Sequence, residues 1–348
     1  MQEARKTAIV IGGGPAGMEA ALKIGQAGYK AILVEKEPVL GGRLGSLCGS
    51  FPRWESPDKI IENKIHQIKQ CSQVEVLPDT VVSSCEHMEN GFAVVLKNGA
   101  GDERKIEVGG VILATGFEFF DAKNYGEYGY GIYPEVITAI EFEAQLKEWQ
   151  SGRDINKKPG AVAFIKCVGS RDRAKGYPYC SKICCMYTAK QAGMVKDLFP
   201  ESDCYVFYMD YRAAGKEYEE FVRSVIEDKK VRYVRGRPAK VLPVEGRLLV
   251  RVEDTLMGIP TETKVDIVVL ASGTVPSKES TELANLFGAK TDEHGFMEPE
   301  FGYTSKAGLR VYYAGGCGFP VEIAGAQQQG AAAAAEIISL FNQEYAKG

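Results

Sequence analysis

Four cysteines between positions 167 and 185 are the residues of this chain with the clearest capacity for chemistry. They lie in the segment CVGSRDRAKGYPYCSKICC with the spacing C-x12-C-x3-C-C, so the last two thiols are adjacent. Thiolates are ligands of zinc and of iron–sulfur centres, and they are also the reactive groups of thiol–disulfide exchange. The segment therefore predicts a metal centre or a redox site, unless the cysteines are only packed in a core.

The spacing of these cysteines favours one of four interpretations. Structural zinc sites typically use paired C-x2-4-C knuckles, which an adjacent pair suits poorly. A thiol redox pair is a further alternative. The last interpretation is that the cysteines are buried and inert. However, a chain with nine cysteines in 348 residues would rarely place four of them within nineteen positions by chance. A [4Fe–4S] cluster with four thiolate ligands fits best, and the other three interpretations stay open.

The elements predicted around the cysteines form a βαβ-type unit. Residues 160–166 predict a buried strand that leads into Cys167, and residues 182–198 predict a helix. Cys184 and Cys185 would then lie on the first helical turn, where the dipole and free N–H groups lower the pKa of a thiol. Further predicted elements are strands at 204–209, 231–234, 239–244, 247–253 and 265–273 and a helix at 216–229.

This unit lacks the glycine loop of a nucleotide-binding βαβ unit. After the strand AVAFIK the chain continues CVGSRDRAKGYPYC, without G-x-G-x-x-G or G-x-G-x-x-A. Side chains at the first and second glycine positions would obstruct the approach of a pyrophosphate. We therefore expect a second nucleotide site to be lost or altered, with the cysteines in its place.

A dinucleotide-binding motif near the start of the chain is complete. Residues 7–11 predict a strand, which Gly12, Gly14 and Gly17 follow as G-x-G-x-x-G before a helix through Gln26. A second strand at 31–34 ends at Glu35. The glycines allow a tight turn, close approach of a pyrophosphate and close helix–strand packing, and the carboxylate is placed to accept from ribose hydroxyls.

The segments KEPVLGGRLG and VGGVILATGFEFFDA resemble the two-dinucleotide-binding-domain flavoproteins, the group of thioredoxin reductase and glutathione reductase. In that group the first glycine loop holds FAD and the ATG strand returns beneath it. Residues 74–77, 80–86, 91–97 and 103–108 predict the β-meander that is usual between them. The resemblance implies an α/β, thioredoxin reductase-like fold. Its Rossmann-type FAD domain would comprise 1–150 and 272–348, and an inserted Rossmann-like domain at 151–271 would carry the cysteines.

The cysteine segment, CVGSRD followed by YPYCSKICCMYTAKQA, resembles the HdrA family of heterodisulfide reductases. The segments LGGRLG, ILATGFEFFDA and VYYAGGCGFPVEIAGAQQQGAAAAAE extend the resemblance over essentially the whole chain. It implies that Cys167, Cys180, Cys184 and Cys185 bind a [4Fe–4S] cluster. It also implies that fourteen residues contact FAD: Gly12, Gly14, Pro15, Ala16, Gly17, Glu35, Lys36, Gly42, Arg43, Ala114, Thr115, Gly116, Gly315 and Ala326.

The chain departs from the larger members of that family, because it lacks their ferredoxin insertion and their cysteines after GGR. It therefore resembles the short subunit of the heterodisulfide reductase-like complexes of bacterial sulfur oxidation. This implies an oxidoreductase, an electron-transfer subunit with FAD and a [4Fe–4S] cluster. Its partners would be iron–sulfur and disulfide-handling subunits, acting on thiol or disulfide substrates, and it would be a homodimer.

Two other functions stay open: the flavoprotein subunit of a quinone-interacting oxidoreductase complex, and a self-sufficient NAD(P)H-dependent disulfide reductase. The three histidines form no ligand spacing and no general base stands out, so no catalytic residue is predicted.

Composition excludes several classes of protein. With 45% hydrophobic and 25% charged residues the chain is expected to be globular and soluble, and its net charge of −4 gives no electrostatic reason to bind nucleic acid. No stretch of 18 apolar residues predicts a membrane span. The N-terminal MQEARK leads directly into a strand, so we expect no signal peptide and a cytoplasmic protein. An odd number of cysteines argues against a disulfide framework.

Overall fold

The structure, a computed structural model, describes residues 6–156, 158–300 and 306–345. The predicted absence of a signal peptide concerns the N-terminus, where residues 1–5 lie outside the described residues. The chain divides into two compact units. The first unit comprises Met1–Gly45, Asp58–Glu118 and Val275–Gly348, and the second comprises Ser46–Pro57 and Phe119–Thr274.

The first unit is built on a mainly parallel sheet flanked by helices. Its strands are β1 (Thr7–Ile11), β2 (Lys30–Val34), β3 (Val74–Leu77), β4 (Thr80–Met88), β5 (Gly91–Asn98), β6 (Glu103–Val108), β7 (Gly110–Leu113), β18 (Lys306–Gly308) and β19 (Val311–Tyr313). Its helices are α1 (Pro15–Gln26), α2 (Pro57–Gln70), α6 (Lys278–Phe287) and α7 (Ile323–Tyr345). The main sheet has the order β18-β19-β7-β1-β2-β3, in which β18 alone is antiparallel to its neighbour.

Both faces of this sheet are covered. On one face Ala8 and Val10 of β1 pack in a core with residues of α1 and α7. On the other face Ile9 and Ile11 pack with residues of β5 and α6. A parallel strand that is buried on both sides needs apolar residues at successive positions, and this explains the run TAIVI at β1.

The predicted β-meander is partly confirmed. Strands β4, β5 and β6 form an antiparallel three-stranded sheet in which consecutive strands pair. The prediction was wrong for residues 74–77, because β3 pairs in parallel with β2 and extends the main sheet. The helix α2 lies between these two strands and supplies the crossover that parallel neighbours require.

The second unit has its own, wholly parallel sheet. The strands of this unit, which also form a second sheet, are β9 (Val136–Thr138), β10 (Ala161–Val168), β11 (Asp203–Tyr208), β12 (Arg232–Arg235), β13 (Lys240–Val244), β14 (Arg247–Asp254), β15 (Ile259–Val265) and β16 (Ile267–Ser272). The helices are α3 (Ala139–Gln150), α4 (Cys184–Leu198) and α5 (Tyr218–Glu227). The order of the parallel sheet is β12-β11-β10-β16-β9, and β13, β14 and β15 form an antiparallel sheet. The short strands β8 (Glu118–Phe119) and β17 (Thr274–Val275) pair with each other.

The observed division of the chain differs from the predicted domain boundary at residue 150, whereas the later boundary, between Thr274 and Val275, lies within three residues of the predicted position. Strand β9 pairs with β16, and helix α3 packs in the second core through Phe142, Leu146 and Trp149. Residues 119–150 therefore fold with the second unit, as do residues 46–57. Non-local strand pairing decided these boundaries, and composition along the chain carries no sign of it. Among the described helices, none combines the length and apolar character needed to cross a membrane.

Candidate functional site

The first candidate site is formed by the glycine turn between β1 and α1. Gly12 has φ +111°, and a Cβ on it would lie 2.3 Å from the Ala114 carbonyl oxygen. A Cβ on Gly17 would lie 1.8 Å from the Gly12 carbonyl oxygen. Only glycine satisfies both positions, since one is in the left-handed region and the other touches backbone. The predicted roles of these two glycines in the turn and in close packing agree with this geometry.

The start of α1 is open in front of the helix. Gly14 is the N-cap residue, Pro15 is the first helical residue, and a Cβ on Gly14 would meet nothing within 4 Å. The amides of the first helical turn have no intrahelical acceptor, and they carry the positive end of the helix dipole. This arrangement suits a phosphate or pyrophosphate.

The carboxylate of Glu35 is buried, with 6% of its surface exposed, and is fixed by backbone donors. Its Oε2 accepts from the Gly13 amide at 2.6 Å, and its Oε1 accepts from the Glu37 amide at 2.9 Å. Each carboxylate oxygen can accept more than one hydrogen bond, so both retain capacity for a ribose hydroxyl. The neighbouring Lys36, also predicted as a contact, forms an ion pair with Glu279 at 2.6 Å, which raises the pKa of Lys36.

The GGR segment lies against the glycine turn. The Gly41 amide donates to the Gly13 carbonyl at 2.9 Å, and a Cβ on Gly42 would lie 3.2 Å from the Gly14 Cα. Arg43 donates through Nε to the Phe117 carbonyl at 2.8 Å, and its guanidinium stands 5.8 Å from the centroid of the Phe117 ring. Burial lowers the pKa of Arg43, against the opposing field of Glu118.

The remaining predicted FAD contacts lie at the ends of β7 and β19 and in α7. Thr115 shares a 2.5 Å hydrogen bond with Ser280, a residue that sequence reasoning missed. Gly116 has φ +74° with open space beyond it, and a Cβ on Gly315 would lie 2.9 Å from the Ala16 Cβ. The Ala326 N–H donates to the carbonyl of Glu322, the residue before α7, at 2.8 Å.

These observations show that the first unit fits a dinucleotide of the FAD type. Glycines stand around an open helix N-terminus at positions where a side chain would collide with the backbone. A carboxylate held by backbone donors follows the second strand. A pyrophosphate would bind at the amides and a ribose at Glu35. The individual contacts stay predictions.

The second candidate site is a group of cysteines in the second unit. Cys167 is on β10, and Cys184 and Cys185 are the first two residues of α4. All three are buried, with 3%, 0% and 3% of their surfaces exposed, and they form one small cluster with Ala271. Cys167 has φ +61° at a shift in strand register, a left-handed conformation that is costly for a residue with a side chain.

Contacts between the sulfurs set the charge of this cysteine cluster. The pKa values of Cys167 and Cys185 are both lowered, in each case chiefly by hydrogen bonding to the buried Cys184 thiol, whose single proton the two sulfurs share. The same hydrogen bonds, together with burial, raise the pKa of Cys184. On the first turn of the helix the pKa of Cys185 is thus lowered, chiefly by the neighbouring thiol and not by the predicted helix dipole, whereas the pKa of Cys184 is raised.

Two nitrogen donors reach the Cys185 sulfur from outside the cluster. The Lys166 ammonium and the Arg212 backbone amide each stand 3.3 Å from it. Sequence reasoning missed Lys166, although a charged residue inside the otherwise apolar strand AVAFIKCV was a visible signal.

The fourth predicted ligand, Cys180, is not part of the buried cluster. It is half-buried, and its sulfur accepts from the Lys182 amide at 3.3 Å. Arg171 links the two regions electrostatically, because the sulfurs of Cys167 and Cys180 both raise its pKa, after the larger effect of Asp210. Within the described ranges, no three His, Cys, Asp or Glu side chains are already arranged to hold a metal ion.

The cysteine donor set nevertheless fits an anionic iron–sulfur centre. Thiolate ligands, backbone N–H donors and nearby cations are the features that hold and tune such clusters. Cys180 and Cys185 also have the C-x4-C spacing of disulfide reductases, so a thiol redox pair stays open; all nine cysteines are free.

Comparisons with known proteins bear on the fold of the chain. The family model for pyridine nucleotide-disulphide oxidoreductases matches residues 6–157. Among solved structures, thioredoxin reductase of T. acidophilum aligns with a TM-score of 0.64 at 16% identity, over 96% of this chain and 98% of that one. Thioredoxin reductase of Lactococcus lactis gives 0.64 at 17% identity, over 97% and 99%. These likenesses confirm the predicted thioredoxin reductase-like α/β fold.

Curated relatives extend the comparison to function. The A-type iron-sulfur subunit of CoB–CoM heterodisulfide reductase from Methanocaldococcus jannaschii is 32% identical over 85% of this chain and 58% of its own length. The A-type subunit of the H2:CoB-CoM heterodisulfide, ferredoxin reductase from Methanothermobacter thermautotrophicus is 32% identical over 95% of this chain and 63% of its own. The chain thus spans about three fifths of these relatives. Both names and the family model indicate an oxidoreductase.

Proposed function

The chain is a relative of the A-type subunits of heterodisulfide reductase, the HdrA family, and from this premise we propose that it is an electron-transfer subunit of a heterodisulfide reductase-like complex. The relatives confirm the resemblance predicted from the cysteine segment. The proposal goes further in three respects: the chain carries FAD and one [4Fe–4S] cluster, it corresponds to the short subunit of complexes that act in sulfur oxidation, and it works in the cytoplasm. Other subunits would handle the thiol or disulfide substrate.

One observation supports the proposal most strongly. Three buried cysteines, Cys167, Cys184 and Cys185, meet at the carboxyl end of β10 and the start of α4. Ligands of parallel α/β sheets bind at this end, and a reductase with a second nucleotide site would have its glycine loop there. Thiols at that position would take the place of the usual phosphate-binding loop and could supply ligands for a metal centre.

The chain's own residues would divide the work between the two units. In the first unit, the α1 amides and Glu35 would bind and orient the dinucleotide. In the second, the cysteines would hold the cluster while their apolar surroundings keep water from the sulfurs. When bound, a flavin exchanges electrons in pairs and an iron–sulfur cluster exchanges them singly, so the two together suit electron transfer between different carriers.

Anaerobic reconstitution tests the proposal. The purified chain should bind FAD and, after incubation with iron and sulfide, should contain about four iron atoms, as one cubane cluster requires. Cys167→Ala and Cys185→Ala should lose the iron, whereas Cys204→Ala should keep it, because Cys204 is a buried thiol of the same sheet that lies outside the cysteine cluster. A chain that binds flavin but never iron would contradict the cluster.

The same preparation separates the proposal from its main alternatives. Rapid bleaching of the flavin by NADH or NADPH would indicate a self-sufficient reductase with a working second nucleotide site. Formation of a Cys180–Cys185 disulfide in place of iron uptake would indicate a thiol redox pair. We expect neither result.

A further inference from the structure

Lys166 is a buried cation inside the central strand of the second unit. It directly precedes Cys167 in β10, and only 4% of its surface is exposed. Its ammonium stands 3.3 Å from the Cys185 sulfur and lies 5.2 Å and 5.9 Å from the ring centroids of Tyr208 and Tyr233. A charged group is rare at such a buried position unless an interaction compensates for its loss of hydration, so the partners of Lys166 are informative.

The charge of Lys166 is directed at sulfur rather than at a carboxylate. Among the described residues, Cys185 Sγ is the atom to which Nζ donates a hydrogen bond, and the nearby Asp210 carboxylate interacts with Lys166 only through its electrostatic field. Arg171, the other cation whose field reaches the cysteines, is bound by both carboxylate oxygens of Asp210 at 2.5 and 2.9 Å. Asp210 therefore offsets the charge of Arg171 by direct hydrogen bonds, whereas it acts on Lys166 without one, so the charge of Lys166 is offset less.

Resting on the proposed function, we propose that Lys166 is a positioning residue that sets the reduction potential of the iron–sulfur centre through Cys185. Reduction adds one negative charge to a cluster, and a fixed cation at one of its ligands stabilises the reduced form more than the oxidised form. The effect is strong here because the ammonium is shielded from water by two tyrosine rings, where screening by solvent is weak. Lys166 therefore raises the potential and favours acceptance of an electron.

The test is an EPR-monitored redox titration of the reconstituted full-length protein. The neutral variants Lys166→Met and Lys166→Gln should shift the equilibrium against reduction at least tenfold, about 59 mV to lower potential for a one-electron couple. Lys166→Arg keeps the charge and should stay close to the wild type. Lys175→Met is the matched control, since it removes an exposed lysine of the cysteine segment that pairs with Glu127. We expect no shift for it.

Iron content distinguishes failure of this inference from failure of the proposed function. Variants with full iron content and unchanged potential would overturn the role of Lys166 and leave the cluster in place. Loss of iron from both neutral variants would assign Lys166 a structural role instead, and would likewise overturn the inference. A wild-type chain that never takes up iron would overturn both.

Discussion

Replacing Lys190 by methionine is expected to lower the free energy of unfolding of the second unit by about 3–5 kcal/mol, the usual cost of leaving one partner of a buried ion pair uncompensated. Lys190 on α4 and Glu143 on α3 are 1% and 2% exposed. The ammonium lies 2.6 and 2.7 Å from the two carboxylate oxygens and also donates to the Gly49 carbonyl at 3.0 Å.

Removing the ammonium leaves the Glu143 carboxylate buried with neutral donors only. These are the Cys48 amide at 2.9 Å, the Cys48 thiol at 2.8 Å and the Gln191 side-chain amide at 2.5 Å. They soften the loss but cannot neutralise the charge. With a total stability of roughly 5–15 kcal/mol for a typical domain, a loss of this size would be plain in any denaturation curve.

Urea denaturation followed by tryptophan fluorescence measures the effect in the correct unit, because Trp54 and Trp149 are the only tryptophans and both belong to the second unit. The double variant Lys190→Met, Glu143→Gln should recover part of the loss, since glutamine removes the charge and still offers an oxygen to the Cys48 amide. Arg223→Met is the control: it breaks an ion pair with Glu219 whose side chains are 60% and 61% exposed. It should cost no more than about 0.5 kcal/mol.

A loss below about 1 kcal/mol for Lys190→Met, or a double variant no more stable than the single one, would refute the reasoning. Either result would mean that water reaches the carboxylate or that the site relaxes around it.

Two further predictions concern the pH dependence of stability and the glycine turn. Burial raises the pKa of Glu143, but Lys190 and the Cys48 donors more than offset this and leave the pKa below its ordinary value of 4.5. The ionised Glu143 carboxylate should therefore stabilise the fold fully at pH values above 4.5, and this stabilisation should be lost as the pH falls through the lowered pKa of the folded state. The wild type should accordingly lose more stability than Glu143→Gln when the pH is lowered from 7 into the acid range. Gly17→Ala should abolish FAD binding, measured as flavin absorbance, because its Cβ would lie 1.8 Å from the Gly12 carbonyl oxygen. Gly126→Ala, where a Cβ meets nothing within 4 Å, should bind flavin normally.

Local sequence was sufficient to determine the elements that carry both sites. A strand, a glycine turn, a helix start and a second strand are set by neighbouring residues, so Gly12, Gly17 and Glu35 could be assigned from spacing alone. The same holds for the adjacent Cys184 and Cys185, which the helix start predicted near residue 182 places on its first turn. The two βαβ patterns predicted an α/β chain, and the resemblance of KEPVLGGRLG and VGGVILATGFEFFDA to a flavoprotein group implied the thioredoxin reductase-like fold.

Only the tertiary structure decided which distant residues meet. Strand β3 joined the main sheet, and residues 119–150 joined the second unit, because strand partners are chosen by packing across the whole sheet and not by the nearest segment in sequence. The Glu143–Lys190 pair and the Lys166–Cys185 contact join residues 47 and 19 positions apart. No local pattern encodes them, because their energies depend on the exclusion of water, and a side chain acquires that environment only when the core has closed around it.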